Sequence, residues 1–497
     1  MTMAFVLILV FLAVLWLSRS YLLSFFLFGL TGIAALSGEG FLQNICRFFN
    51  SYLFEQMADP IKVSAVILIP FYCGYVGLME YGGPIKGFAG WFTRWADTPL
   101  KTQAAAYFSS TAVFFSDLGS PGITGSLFQE KYNASGVPRE KLAVLLNFTA
   151  APVCSLVPLV GWGIVAVAVI YGSLQNAEAE PLSLFLHAVP YFGFPILLIF
   201  TPLLMISRRF CTEELRKTAK YCEKEHKRYL SERKRFVKPI EIAEREGSGV
   251  ILIVTLAVLL SVLTLCFVKE GESPFCISLD KYLLYLCSGL LCAGILGIVL
   301  SGIAKRALMD HFSLYTSMFK RTLSVTAIMV MAWFFCSIAA DTGVLTAAAE
   351  IFLAVPPVLA APLLLIAGMC LSVRTASAWG TYAVLIPIAL YLGQDAGYNL
   401  PMLIGAAVSG GIYGDISAGN SHSLHYAAES AGVDPKELAR MQKPYLLAAA
   451  VSCAVASAVS FCMETAWLYL LVLAVVYICV LLFICSSAGK INFGGKK

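Results

Sequence analysis

Charge is scarce in this sequence: 13% of its 497 residues are Asp, Glu, Lys or Arg, whereas 59% are hydrophobic. Soluble globular domains carry about 25% charged residues, so the composition excludes that class. Long charge-free stretches recur from one end of the chain to the other, and a helix crossing a hydrocarbon core of about 30 Å needs roughly 20 apolar residues. The sequence therefore predicts an all-α polytopic membrane protein.

Three signatures are missing. The fifteen cysteines include no C-x-x-C pair, which argues against redox chemistry or a zinc site. The phosphate-binding pattern G-x-x-x-x-G-K-[ST] does not occur, which argues against a nucleotide-driven pump within this polypeptide. No basic residue precedes the first apolar stretch, and no small-residue cleavage site follows it before Arg19. We therefore interpret this stretch as a membrane helix rather than a cleavable signal.

Apolar stretches of crossing or nearly crossing length fall at 3–18, 20–38, 63–79, 142–177, 181–207, 247–268, 282–304, 322–340, 351–373, 375–394, 396–414, 444–463 and 465–489. Several are short for a full crossing, and 142–177 is long enough for more than one element. We expect roughly 11 to 14 spans or half-spans.

The long polar segment 208–246 carries thirteen Lys or Arg against eight Asp or Glu. By the positive-inside rule it is cytoplasmic, as is the basic C-terminal tail that ends in Lys496 and Lys497, in a plasma or bacterial inner membrane. The chain then divides into a first transmembrane repeat, a basic cytoplasmic linker, and a second repeat with its short tail; these are residues 1–206, 207–247 and 248–497. A solvated linker is the simplest interpretation, and regulation or lipid binding is the alternative.

A helix-breaking motif occurs once in each half, at 116–125 and at 414–421. Each copy is followed by a Gly-Val turn, at Gly136 and at Gly432, and then by a charged helix start. Paired breaks in two membrane halves point to the substrate site of a secondary transporter. We expect two repeats of inverted topology, built from broken helices or re-entrant hairpins. Basic residues beside both turns leave the side of the membrane on which each turn lies open.

Both breaks are rich in oxygen-bearing side chains. A helix interruption frees backbone groups that only protein, water or an ion can satisfy in hydrocarbon, and carbonyl and side-chain oxygens hold hard cations such as Na+. The candidate ligands are Asp117, Ser120 and Thr124 in the first break, and Asp415, Ser417, Asn420 and Ser421 in the second. Asp117 and Asp415 are the candidate Na+ ligands; alternatively, they cap short helices at the membrane surface.

Arg374 interrupts a third apolar region, next to Thr375 and Ser377. An arginine at membrane depth costs about 2.5–3.5 kcal/mol on insertion scales, so it needs a partner or a wet cavity. Two roles are open: structural pairing with Asp341 or Asp415, and bidentate binding of a substrate carboxylate.

Two more positions carry polar groups close to breaks. Pro152 interrupts an apolar stretch that also holds Asn147 and Thr149; small-residue helix packing is the competing explanation. His422 follows the second break and is either a proton relay or a hydrogen-bonded structural group.

Five collinear motifs together resemble the NhaC-type sodium/proton antiporter family of the ion transporter superfamily. They are 114–125, 139–143, 149–153, 375–381 with Pro387, and 414–421 with 442–445. The resemblance implies a two-repeat transporter with re-entrant hairpins that works by alternating access and exchanges sodium for protons. Some relatives exchange organic acids or move amino acids.

The chain departs from the family pattern where carboxylates are expected. The residues at those places are Ser116, Asn147 and His422. In addition, Arg374 stands where a small residue is usual. Fewer negative charges and one more positive charge favour an anionic or zwitterionic substrate more than the family pattern does. Glu80 and Asp341 are the acidic residues that could replace the missing carboxylates in space.

We predict a sodium/proton antiporter in which a proton and Na+ exclude each other at Asp117 or Asp415, and no enzymatic activity. The alternative is a Na+- or H+-coupled transporter or exchanger of amino acids or organic carboxylates. An intramembrane aspartyl protease using Asp341 and Asp415 and a passive channel are less consistent with the repeated breaks. The expected partners are membrane lipid, Na+, H+ and a small organic anion or amino acid, with a homodimer also considered; we expect no nucleic acid and no cofactor.

Overall fold

The computed structural model describes residues 2–117, 119–159, 161–174, 180–233, 236, 246–271, 273, 276–305, 308–395, 397–461 and 465–487. Within these residues all regular structure is helical. This confirms the predicted all-α fold class. The basic tail and most of the segment 234–245 lie outside the described residues, so their predicted cytoplasmic location stays a prediction.

The helices before the linker follow one another closely. They are α1 (Thr2–Ser18), α2 (Tyr21–Ser37), α3 (Phe41–Arg47), a π-helix (Phe48–Leu53), α4 (Phe54–Ala58), α5 (Pro60–Tyr81), α6 (Pro84–Thr93), α7 (Pro99–Ala112), α8 (Gly119–Ala134), α9 (Arg139–Leu156), α10 (Gly161–Ser173), α11 (Pro181–Ala188), a 3₁₀ turn (Val189–Tyr191) and α12 (Gly193–Ile206).

The linker begins with a 3₁₀ turn (Arg208–Phe210) and contains α13 (Glu213–Lys224) and α14 (His226–Arg233). The second half holds α15 (Gly249–Glu270), α16 (Leu279–Lys305), α17 (Leu308–Ser317), a 3₁₀ turn (Met318–Thr322), α18 (Leu323–Asp341), α19 (Val344–Leu353), a 3₁₀ turn (Pro357–Leu359), α20 (Ala360–Thr375), α21 (Ala378–Asp395), α22 (Leu400–Ser417), α23 (His422–Ala431), α24 (Pro435–Ser460) and α25 (Ala466–Ser487).

Seven helices of the described residues are long and apolar enough to cross a membrane, or up to ten spans if each bent helix pair counts as one. The bent pairs are α2 with the helices at 41–58, α9 with α10, and α11 with α12, at 112°, 40° and 48°. The stretch 142–177 thus contains parts of two helices, as its length suggested. The other apolar stretches form shorter or broken helices. The predicted count of 11 to 14 therefore includes half-spans as well as full crossings.

Two pairs of neighbouring helices form hairpins that turn back on themselves. In the first, α7 lies against α8, where Ser110 Oγ is 3.1 Å from Ser120 Oγ. In the second, α20 lies against α21, where a Cβ added to Gly368 would be 3.0 Å from Leu385 Cδ1. The second hairpin turns at Ala376, whose φ of +53° is in the left-handed region. The sequence predicted re-entrant hairpins; how deeply these two hairpins enter the membrane stays a prediction, and α20 together with the 3₁₀ turn before it is long and apolar enough to cross it.

The helix break in the second half falls after most of the glycines that predicted it. The glycines of this region, Gly410, Gly411, Gly414 and Gly419, predicted the break, and Gly419 does lie in it, between α22 and α23. The first three lie within α22, which ends at Ser417. These glycines instead allow close packing against α20 and α21: a Cβ at Gly414 would be 2.1 Å from the carbonyl carbon of Ser372. Small residues permit such close approach of helix backbones in membranes.

The two hairpins open toward opposite sides of the helix bundle. The start of α7 and the end of α12 both meet the start of α9, because Lys141 Nζ donates to Gln103 Oε1 and to the carbonyl of Met205. Hairpin α7–α8 therefore opens on the linker side. Helix α22 runs alongside and parallel to the chain entering α12, with Gly405 against Tyr191 and Ser409 Oγ bonded to the amide of Phe194.

Helix α20 is parallel to α22, since Gly368 lies against Gly410 and Ser372 against Gly414. Helix α20 therefore runs toward the linker side, and hairpin α20–α21 opens away from that side.

The two Gly-Val turns lie on the same side of the helix bundle, because both following helices contact α14. Arg139 at the start of α9 donates its amide to Tyr229 Oη at 2.7 Å, and Glu437 at the start of α24 accepts from Arg233. Helices α8 and α23 are also parallel, with Gly125 against Ser430. The two copies of the motif therefore run in the same direction. An inverted repeat cannot relate these two copies to each other.

Candidate functional site

Asp415 lies in the last turn of α22, and its side chain is buried. Its Oδ2 accepts a hydrogen bond from Ser423 Oγ at 2.7 Å, and its backbone carbonyl accepts one from Ser421 Oγ. Ser421 is also the N-cap of α23, where its side chain accepts from the amide of Leu424, the role for which serine is favoured. The break at 418–421 thus folds the start of α23 back onto the aspartate.

The carbonyl of Ile416, next to Asp415, is held by two amide side chains. Asn147 Nδ2 donates to it at 3.2 Å and Gln442 Nε2 at 2.8 Å. Asn147 Nδ2 also donates to Gln442 Oε1 at 2.7 Å. A carboxylate has no hydrogen to donate, so an asparagine at position 147 makes contacts that the family's aspartate does not.

Three buried oxygens near the end of α22 have no hydrogen-bond partner among the described residues: Asn147 Oδ1, Ser417 Oγ and Tyr382 Oη. Tyr382 packs on Gly411, one turn before Asp415. A buried polar atom without a partner costs free energy. Uncharged oxygens together with a carboxylate are the kind of ligands that a monovalent hard cation prefers.

Asp117 lies at the tip of hairpin α7–α8, between the end of α7 and the start of α8, and is half-buried. Its Oδ2 accepts from Trp162 Nε1 at 3.0 Å, and Trp162 lies edge-on to Trp379 at the start of α21, with ring centroids 5.8 Å apart. The first break therefore lies next to the turn of the second hairpin. Water can reach Asp117 more easily than it can reach Asp415.

Glu80 places a further carboxylate at the first break. It is 7% exposed, it accepts a hydrogen bond from Ser116 Oγ, and a Cβ added to Gly119 would be 2.2 Å from its Oε1. Glu80 thus stands against Ser116, where the family resemblance implies an aspartate. The other candidate, Asp341, is exposed and accepts from Tyr52 Oη at 2.9 Å.

The remaining hydroxyls of the first break close the hairpin. Thr149 Oγ1 is 2.7 Å from Ser110 Oγ, Ser120 Oγ donates to the Ser110 carbonyl at 2.8 Å, and Thr124 Oγ1 is 3.3 Å from Ser109 Oγ. All five side chains are buried. Ser109 and Ser110 are residues that the sequence pattern did not single out, because they lie inside an ordinary helix.

Arg374 points toward the end of α1. Its Nε donates to the carbonyl of Trp16 at 2.9 Å, and its guanidinium lies 5.0 Å from the Trp16 ring centroid. Within the described residues no ion pair joins it to an aspartate. Next to it, Thr375 Oγ1 donates to the Leu371 carbonyl, and Ser377 Oγ accepts from the amide of Gly380. Asn420 and His422 lie exposed at the second break.

The two breaks meet in space. Helix α8 packs on α23, where a Cβ at Gly122 would be 2.8 Å from Tyr426 Oη, and Gln129 Nε2 donates to the carbonyl of Ser430 at 2.5 Å. The structure therefore gathers residues from both halves around one region.

Comparison with known proteins supports a transporter. The profile of the Na+/H+ antiporter family matches residues 153–460, more than half of the chain. No curated protein sequence matches. The crystal structure of the YdaH transporter of Alcanivorax borkumensis superimposes with a TM-score of 0.56 at 14% identity, covering 84% of this chain and 88% of that chain. This likeness shows a shared fold.

A second solved structure is less similar. MtrF of Neisseria gonorrhoeae, described as illuminating a class of antimetabolite efflux pumps, gives a TM-score of 0.45 at 12% identity over 85% of each chain. From the family match and the apolar helices, the chain belongs to the Na+/H+ antiporter family and is an integral membrane secondary transporter.

Proposed function

We propose that this protein exchanges Na+ for H+ across the membrane by alternating access. The observation that carries the proposal is the buried Asp415 carboxylate in the last turn of α22, together with buried uncharged oxygens near the end of that helix that lack partners within the described residues, Asn147 Oδ1 and Ser417 Oγ among them. A proton or a sodium ion would compensate the carboxylate, and the orphaned oxygens would complete the coordination of sodium.

Mutual exclusion at Asp415 supplies the coupling. A buried carboxylate is costly unless a proton, a cation or strong hydrogen bonds compensate its charge. Ser423 donates one hydrogen bond to it, which leaves room for either a proton or Na+. Each ion displaces the other, so the carrier changes sides loaded with one of the two.

Asp117 and Glu80 would form a second ion-binding position. Asp117 is half-buried and Glu80 is buried, and both lie at the tip of hairpin α7–α8. We propose that Asp117 receives ions from water and passes them toward Asp415. Glu80 replaces the negative charge that Ser116 lacks.

The opposite directions of the two hairpins support alternating access. We propose that hairpin α7–α8 with α9, and hairpin α20–α21 with α22, are the corresponding elements of two repeats with inverted topology, in the halves 1–206 and 248–497. Each hairpin would then close the site from its own side of the membrane.

The linker side is proposed to be cytoplasmic, in a plasma or bacterial inner membrane. The basic excess of the segment 208–246 supports this orientation, and both Gly-Val turns then face the cytoplasm. Membrane lipid, Na+ and H+ are the partners this function requires, and no cofactor takes part.

The test is sodium-triggered proton movement in proteoliposomes, followed with a trapped pH dye. Wild type is expected to move protons when sodium is added outside, Asp415→Asn is expected to be inactive, and Asp341→Asn, a control at an exposed aspartate, is expected to behave as wild type. A wild type that ignores sodium would refute the exchange. Amino acids and carboxylates would then be tested, since the alternative function depends on Arg374 as a carboxylate-binding residue.

A further inference from the structure

Arg233, at the end of linker helix α14, joins the two membrane halves. Its guanidinium makes a bidentate contact with Glu437 at the start of α24, with N–O distances of 2.7 and 2.8 Å. The same guanidinium forms an ion pair with Glu140 at the start of α9. The Glu140 side chain is 0% exposed and that of Arg233 is 11% exposed. Such planar, two-pronged pairing fixes orientation as well as charge.

Tyr229 completes the contact between α14 and α9. Its hydroxyl donates to Glu140 Oε2 at 2.8 Å and accepts from the amide of Arg139 at 2.7 Å, and its ring lies 5.4 Å from the Arg233 guanidinium carbon. The linker helix is therefore docked on the bundle by buried, directional contacts, unlike a solvated tether.

Glu140 and Glu437 lie on the same two helices as the amides that hold the site. Asn147 follows Glu140 on α9 by about two helical turns, and Gln442 follows Glu437 on α24 by between one and two turns. Helices α9 and α24 are thus linked twice, by the Asn147–Gln442 hydrogen bond and by Arg233.

We propose that Arg233 is a positioning residue for the ion site. It holds α9 and α24 in the register that lets Asn147 and Gln442 share the carbonyl of Ile416. Without Arg233, Glu140 would be a buried carboxylate without this compensating cation, and movement of the start of α9 toward water would relieve the cost. Since a helix transmits such a shift along its axis, the amide of Asn147 moves with it.

Backbone hydrogen exchange of the purified full-length protein tests the link without any assumption about the transported ion. Arg233→Ala is expected to speed exchange at least tenfold in 139–147 and in 416–424, and to leave 376–380 unchanged. Arg228→Ala is the matched control, because Arg228 lies on the same helix and pairs at the surface with Glu225 and Glu232; it should resemble wild type. Faster exchange confined to α13 and α14 would overturn the proposal.

Transport kinetics give the second readout, which rests on the proposed function. Arg233→Ala is expected to raise the apparent KM for sodium at least fivefold with a smaller change in maximal rate. Arg233→Lys, which keeps the charge but loses the bidentate contact, is expected to fall between Arg233→Ala and wild type in both assays. If Arg233→Ala does not fold, Arg233→Lys is the variant that is compared with wild type in both assays.

An unchanged KM in Arg233→Ala would contradict the positioning role. If wild type shows no response to sodium, sodium exchange fails, and the hydrogen-exchange comparison still decides the role of Arg233.

Discussion

The two polar atoms of the Asn147 side chain have different roles at the site. Sequence comparison makes Asn147 look like a lost carboxylate, but its Nδ2 bonds to Ile416 and Gln442 while its Oδ1 has no partner in the described part of the chain. The same residue thus supplies a donor to the protein and an acceptor for a cation. This dual role follows from three-dimensional contacts, so the sequence predicted that position 147 matters without predicting how.

Replacing Asn147 with aspartate should therefore reduce transport, although it restores the family's residue. Asn147→Asp removes the two donated hydrogen bonds and sets a carboxylate against the Ile416 carbonyl and Gln442 Oε1. Each buried polar group left without a hydrogen bond costs about 1–3 kcal/mol, which corresponds to about a 5- to 160-fold change in an equilibrium. We expect at least a tenfold fall in sodium-dependent proton flux in proteoliposomes.

The control for this variant is Asn399→Asp. Asn399 caps α22 by accepting from the amide of Met402, and aspartate accepts equally well, so its flux should match wild type. Flux at the wild-type level in Asn147→Asp would show that transport does not need the side-chain amide of Asn147.

Glu80 is the carboxylate that the sequence pattern could name only as a candidate. Gly119→Ala should displace it, because the added Cβ would fall 2.2 Å from Glu80 Oε1. We expect Gly119→Ala and Glu80→Gln to reduce flux to a similar extent, measured with the same pH dye.

Gly90→Ala is the matched glycine control, since a Cβ there meets nothing within 4 Å. Full activity in both Gly119→Ala and Glu80→Gln would show that this carboxylate takes no part in transport.

At the scale of elements, the sequence placed both breaks to within a few residues. The first turn lies between Ala112 and Gly119, just before the glycines of α8, and the second lies at 418–421, after most of the glycines of α22. Glycine has two uses in membrane helices, breaking them and bringing them together, and composition does not distinguish these uses. Gly410, Gly411 and Gly414 serve packing, whereas the break itself needs only the turn at 418–421. The turn of hairpin α20–α21 was harder to predict from the sequence, because it contains no glycine and uses Ala376 at positive φ.

Gly414 is packed against α20, whereas Gly419 lies in the open turn of the break. Alanine is therefore expected to have different effects at these two positions. Gly414→Ala would place a Cβ 2.1 Å from backbone of Ser372, and such overpacking typically costs about 1–3 kcal/mol. We expect a lower thermal unfolding midpoint of the detergent-purified protein.

Gly419→Ala meets nothing within 4 Å and should unfold at the wild-type temperature. The reverse order of stabilities would mean that 419, rather than 414, is the packed position.

For the whole molecule, composition was enough to predict a polytopic helical membrane protein, and the order of motifs was enough to predict the family. The docking of the linker could not be predicted in this way. Its charge predicted a solvated segment, yet α14 docks on both halves through Tyr229 and Arg233. Partners that are far apart in sequence cannot be assigned from charge counts.

The docked linker predicts that both Gly-Val turns face the same side of the membrane. A specific protease site inserted after Gly136 and, separately, one inserted after Gly432 should be cut in vesicles of the same orientation and protected in vesicles of the other. Cleavage of the two sites from opposite sides would contradict the arrangement of α8, α23 and α14.

The central claim is that one buried carboxyl group exchanges a proton for a sodium ion. Its most direct test is proton release from detergent-purified protein in weakly buffered solution when NaCl is added, with choline chloride as the control. We predict sodium-specific release from wild type, close to one proton per chain, and none from Asp415→Asn. Equal release from Asp415→Asn, or no release from a wild type that transports sodium, would contradict exchange at Asp415.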